Sequence, residues 1–91
     1  MAERRTIFFS GRVQGVGFRM TTVQLAEDLP LSGTIRNLDD GDVELIAQGE
    51  TADINTLVAR LREHFGTFIR NTRESSAPAT GRSGRGIRVT H

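Results

Sequence analysis

Gly11-Arg12-Val13-Gln14-Gly15-Val16-Gly17-Phe18-Arg19 stands between an apolar run, Ile7-Phe8-Phe9, and a segment with helical spacing. Three glycines in seven residues, closed by an arginine, suit neither the interior of a strand nor that of a helix. Glycine lets backbone N–H groups turn inward and lets a ligand approach the main chain. A helix starting at Phe18 adds its unpaired N–H groups and the positive end of its dipole. Arg19 adds a planar fork that grips two oxygens of one phosphate or carboxylate. From residue chemistry alone, the stretch is an anion cradle between a strand and a helix.

The flanking segments follow from it. Thr6 to Val13 reads as a strand, with Ile7, Phe9, Gly11 and Val13 on one face. Phe18 to Asp28 reads as a helix, because Phe18, Thr22, Leu25, Ala26 and Leu29 fall on one side. Pro30 stops it, having no N–H to continue the ladder. Ser32 to Leu38 is a second strand. Asp39-Asp40-Gly41 is a turn signal in which Gly41 can take positive φ. Asp42 to Gln48 is a third strand, with Val43, Leu45 and Ala47 on its apolar face.

Ala52 to His64 reads as a second helix. Ile54, Leu57, Val58, Leu61 and Phe65 give it an apolar stripe, with Thr51 as its expected N-cap and Gly66 as its C-cap. Phe68 to Glu74 reads as a fourth strand, though a polar one. Ser75 to Gly86 is rich in Ser, Gly, Pro and Arg and reads as a loop. Ile87-Arg88-Val89-Thr90 alternates and reads as a short closing strand. The order strand-helix-strand-strand-helix-strand predicts an α+β fold. It is the ferredoxin-like split βαβ sandwich (βαββαβ), an antiparallel sheet with two helices on one face. Residues 1–91 have room for one domain and one modest core.

Composition narrows the function classes. No cysteine is present, so disulfides and thiol chemistry are excluded. No apolar run reaches membrane-helix or signal-peptide length, which makes cytoplasm the expected location and no membrane partner the expectation. Net charge is only +1, yet all twelve basic residues are arginine. Five arginines and a single acid, Glu74, lie between Thr67 and His91. Such a run is read as a solvated surface, although it favours anions at long range. Neither histidine lies near the glycine-rich stretch, and no His/Asp/Glu cluster shows metal-ligand spacing.

Gly11 to Arg19 resembles the acylphosphatase signature G-x-V-Q-G-V-x-F-R. Gly33-Thr34-Ile35-Arg36-Asn37, followed by Asp40-Gly41-Asp42-Val43-Glu44 and Gly49, resembles that family's second signature, G-x-V-x-N…G-x-V-E…G. The two are ordered and spaced as the family has them, across about half the chain. The resemblance implies the same ferredoxin-like fold. It also implies hydrolysis of the carboxyl–phosphate bond of acyl phosphates, such as 1,3-bisphosphoglycerate, acetyl phosphate or carbamoyl phosphate. By the family's pattern Arg19 binds the phosphate and Asn37 orients the attacking water. The backbone N–H groups of Gln14, Gly15, Val16, Gly17 and Phe18 complete the cradle. No metal or other cofactor is implied, and the partner is a small-molecule acyl phosphate acted on by a monomer.

The sequence departs from the family in three places. Pro30 stands where glycine is usual, and Thr34 where a larger residue is frequent. The stretch Thr67 to Gly86 matches poorly. Two other readings compete. In hydrogenase-maturation carbamoyltransferases, which open with a related domain, proline usually follows the arginine, whereas here it is Met20; a free-standing enzyme is expected. Ferredoxin-like sheets also carry RNA-recognition domains, but these stack bases on strand aromatics. The chain has no Tyr or Trp, and Gly81-Arg82-Ser83-Gly84-Arg85-Gly86 is too short for an arginine-glycine tail, so no nucleic-acid partner is expected.

Overall fold

The computed structural model describes residues 1–80 and 85–91. Its elements are β1 (Ala2–Gly11), α1 (Phe18–Leu25), β2 (Ser32–Asn37), β3 (Val43–Glu50), α2 (Thr51–Phe65), β4 (Ile69–Pro78) and β5 (Gly86–Val89). A single 3-10 turn, Gly66–Phe68, joins α2 to β4. The sheet runs in the order β4-β1-β3-β2-β5. The first four strands pair antiparallel, in the ferredoxin-like order.

The expectation of a wholly antiparallel sheet needs one correction: β5 lies parallel to β2, from Ser32↔Gly86 to Ile35↔Val89. Two loop-side bonds hold this edge, from the Gly86 N–H to the Leu31 carbonyl (2.8 Å) and from the Thr90 N–H to the Ile35 carbonyl (2.9 Å).

Strand alternation and helix stripes meet in one core. Ile7 and Phe9 from β1, Val43, Leu45 and Ala47 from β3, and Ile35 from β2 are buried. They face Phe18, Thr22 and Ala26 of the α1 segment and the stripe Ile54, Leu57, Val58, Leu61 and Phe65 of α2, as the helical spacing predicts. Leu25 and Leu29 are only half-buried at the rim.

Several boundaries differ from the sequence reading, β1 among them, which spans Ala2–Gly11 rather than Thr6 to Val13. α1 stops at Leu25 rather than Asp28. Arg60 of α2 donates to the Leu25 carbonyl (2.8 Å) and grips the Asp28 carboxylate at 2.7 and 3.2 Å, so a side chain takes the place of a further helical turn. The N-cap of α2 is Glu50, not Thr51. The Thr51 hydroxyl instead donates to Glu3 Oε2 (2.6 Å), because β1 begins beside the helix start. Gly66 does close α2, its N–H reaching the Arg62 carbonyl.

Ser75 to Pro78 belong to β4 rather than to a loop. β1 is long enough to pair with all of it, from Glu3↔Pro78 to Ser10↔Asn71. An edge strand tolerates the polar residues and the proline that made this stretch look irregular. Part of the Gly81 to Gly86 piece, residues 81–84, lies outside the described residues.

Candidate active site

The glycine-rich stretch is held at both ends and open above. Where β1 ends, the pairing with β4 slips from Ser10↔Asn71 to Gly11↔Ile69, a bulge that leaves Arg70 without an opposite. A Cβ on Gly11 would sit 2.3 Å from the Phe68 carbonyl oxygen, so only glycine fits this approach. The next residue, Arg12, donates its N–H to that same carbonyl (2.8 Å). Gln14 supplies the second tether. Its Nε2 donates to the carbonyls of Leu38 (2.8 Å) and Asp42 (2.9 Å), which flank the β2–β3 turn. One side chain thus locks the loop to the strand end that carries Asn37.

Beyond Gln14 the constraint is of another kind. Gly15 and Gly17 take φ of 77° and 79°, in the left-handed region, and a Cβ on either would meet nothing within 4 Å. Glycine is needed here for the backbone angle, while the space over the loop stays open. Gly17 is the N-cap of α1. No side chain caps that helix, and its first turn carries no acid. α2, by contrast, has Asp53 in its first turn. The positive end of α1 is therefore left uncompensated by protein groups. Phe18 anchors the helix below. Its buried ring packs 5.1 Å from Phe9 and 4.6 Å from Phe65, between ring centroids.

Arg19 is the second residue of α1, and Asn37 is the last residue of β2. With Val13, Gly15, Gly17 and Phe18 they line one cleft of about 280 Å³. Among the described residues neither the Arg19 guanidinium nor the Asn37 amide has a hydrogen-bond or ion-pair partner. The cleft thus gathers Gly15, Gly17, Phe18, Arg19 and Asn37 from the expected set. Gln14 and Val16 are not on its wall. The Gln14 side chain is turned to the β2–β3 turn, and Val16 packs against the edge of the core. Arg12 and Arg36 lie outside it. Arg36 pairs with Glu44 at 2.8 Å, and Arg12 lies over the Phe68 ring at 5.5 Å.

The profile of the acylphosphatase family matches residues 5–83. The chain belongs to the acylphosphatase family. That is a family of hydrolases acting on acyl phosphates. An acylphosphatase of Paenarthrobacter aurescens is 51% identical over 55 residues, covering 60% of this chain and 58% of that one. Across four such relatives the matched stretch spans 58–65% of their length. Solved structures extend the likeness. The acylphosphatase from Bacillus subtilis superposes over the whole of both chains with a TM-score of 0.87 at 27% identity. One from Coxiella burnetii, at 34% identity, covers 98% of this chain and 93% of its own with a TM-score of 0.82.

The sequence reading missed several lining or tethering roles, that of Val13 among them. It used Gln14 only for its main chain, although an amide among glycines, able to donate twice, was a visible signal for a tether. It did not place Met20, Val89 or His91 at the cleft. Met20 and Val89 are exposed apolar side chains, 61% and 37% accessible, and their joint position depends on β5 docking beside β2.

Proposed function

We propose that this chain hydrolyses the carboxyl–phosphate bond of acyl phosphates, releasing a carboxylate and inorganic phosphate. The observation that carries the reading is the convergence of Arg19, Asn37 and the Gly15–Gly17 loop on one cleft. In this scheme the phosphoryl group lies on the N–H groups of residues 14–18, at the start of α1, with the Arg19 fork on two of its oxygens. Asn37 holds a water in line with the bond to be broken. The amide both donates and accepts without a charge that would repel the phosphate.

The water oxygen bonds to phosphorus while the bond from phosphorus to the acyl oxygen breaks, and the bonding pair leaves on the carboxylate. The water's proton passes to a phosphoryl oxygen. Charge gathers on oxygens already facing fixed donors, so positioning and electrostatics supply most of the rate. Guanidinium and main-chain N–H groups provide that charge, and the scheme needs neither metal nor cofactor.

The acyl group would project toward the rim formed by Met20 and Val89. Exposed apolar side chains at a cleft mouth favour an apolar partner. Benzoyl phosphate is therefore expected to be turned over with EDTA present, with inorganic phosphate as a competitive inhibitor. Met20→Ser, which removes the apolar contact without adding charge, should raise KM for benzoyl phosphate severalfold and leave acetyl phosphate nearly unchanged. Absence of turnover by the folded chain, or turnover that EDTA abolishes, contradicts the proposal.

A further inference from the structure

The arginine-rich end of the chain has a place in the fold that the cleft does not use. On the helix-free face of the sheet, Arg4, Gln48, Ser32 and Gly86 lie side by side across β1, β3, β2 and β5, with Arg88 one step on, opposite Thr34. Thr80, just past β4, is bonded to this face. The Thr80 N–H and hydroxyl both lie 3.0 Å from Gln48 Oε1, and Gln48 Nε2 donates back to the Thr80 carbonyl (3.3 Å). Gln48 and Ser32 are buried as a result, although they point away from the core.

Between Thr80, Arg85 and the sheet lies a basin of about 500 Å³, sharing no residue with the cleft that holds Arg19. Arg4, Arg85 and Arg88 line it together with Thr34 and Thr80, and no Asp or Glu among the described residues does.

The charges on this face divide into two sets. Outside the basin, Arg36 pairs with Glu44 at 2.8 Å, and Arg73 lies 3.7 Å from Asp42 and over the Phe8 ring at 4.8 Å. Inside it, the guanidinium groups of Arg4, Arg85 and Arg88 have no ion pair or hydrogen bond among the described residues. Three guanidinium groups around one concavity repel one another, and an anion between them relieves that repulsion. Their planar forks match phosphate oxygens better than a single point charge, and several forks call for several anionic groups.

We propose that the basin is a second binding site, for a small anion carrying several phosphate groups. Its size is that of an ordinary small-ligand pocket, and the Thr34 hydroxyl stands beside the arginines as a neutral donor.

Sodium tripolyphosphate is the probe, titrated calorimetrically into the full chain at low ionic strength. The expected result is a saturable site beside any binding in the cleft, weakened by added salt and retained in Arg19→Ala. Arg4→Ala/Arg88→Ala should weaken binding on the order of tenfold while benzoyl phosphate turnover stays unchanged. Arg36→Ala, on the same face but paired, should change it by less than about twofold. In the unmodified chain, amide shifts on binding should centre on residues 32–34, 48 and 80, a readout that needs no variant. Loss of tripolyphosphate binding in Arg19→Ala assigns the anion to the cleft and overturns the proposal. So does undiminished binding by the double variant, or equally tight binding of citrate. Tighter binding of a single-stranded oligonucleotide whose footprint includes Arg73 replaces it with a nucleic-acid surface.

Discussion

The two ends of β1 carry polar clusters of opposite character. At its start, Arg5 donates to both Glu3 oxygens (3.2 and 2.9 Å) and to Asn55 Oδ1 (2.8 Å), and it lies 3.5 Å from Glu74. Glu3 also accepts from the hydroxyls of Thr51 and Ser76, each at 2.6 Å. The two charged side chains are only 14% and 12% accessible, so each needs the partners it has. At the other end, past Gly11, the Arg19 and Asn37 side chains have no protein partner among the described residues. A saturated cluster ties strand, helix and edge strand together and has nothing left to offer a ligand. An unsaturated one contributes little to stability and leaves its donors open to a ligand. Substitutions at one end should therefore change stability without rate, and at the other end rate without stability.

The largest effect is expected at Arg19. Arg19→Ala should lower kcat on the order of 10²–10³ while leaving the thermal midpoint nearly unchanged. Arg19→Lys should not restore it, because a point charge cannot replace the fork. Steady-state kinetics on benzoyl phosphate beside a thermal scan of each variant gives both quantities. A fall in midpoint matching the fall in rate would erase the contrast between the two ends.

Asn37→Ala should follow, with kcat down by about 10² through misplacement of the water and little change in KM. Asn37→Asp, nearly the same shape, should fare no better, since its charge opposes the phosphate. Recovery of most of the rate by the aspartate would mean that a base, not a neutral amide, is wanted there.

Gln14 sharpens the comparison because it links the two behaviours. Gln14→Leu removes both donors to the β2–β3 turn and should cost about 1 kcal/mol of stability. It should also lower kcat/KM by roughly tenfold, as loop and Asn37 lose their common tether. Denaturant midpoints and kinetics on the same preparation test this, and an unchanged kcat/KM would reduce Gln14 to a fold residue.

The smallest effect on rate, none at all, is expected from Glu3→Gln, which should change stability alone. Hydrogen bonds from Arg5, then from Ser76 and Thr51, hold the Glu3 carboxyl down at about 2, against 4.5 for the unperturbed group. A depressed folded-state pKa stabilises the fold above the unfolded value and loses that contribution as pH falls toward the folded one. The variant should thus melt below the parent at neutral pH, and the gap should close between about 4.5 and 2. Melting curves across that range check it. A gap independent of pH would show that the Glu3 charge does not contribute.

What was legible in the sequence divides along the same line. Local rules marked the Gly11–Arg19 turn, the Asp39–Gly41 turn and the stripe of α2, and each appears in the structure at the expected residues. Non-local pairing decided the rest. Ser75 to Pro78 is strand because β1 reaches Pro78, and nothing in the composition of those residues says so. Arg60, far along α2, decides where α1 stops. That Arg19 and Asn37 share one cleft was legible through two motifs read together. Met20 and Val89 were not, since only the parallel docking of β5 brings them to one cleft.

A crystal grown with inorganic phosphate, at a concentration that inhibits turnover, tests the central claim most directly. The account predicts a phosphate with main-chain N–H groups of residues 14–18 and the Arg19 guanidinium at about 2.7–3.2 Å from its oxygens, and a water held between it and the Asn37 amide. An inhibited enzyme whose phosphate lay elsewhere, with Arg19 and the loop untouched, would contradict it.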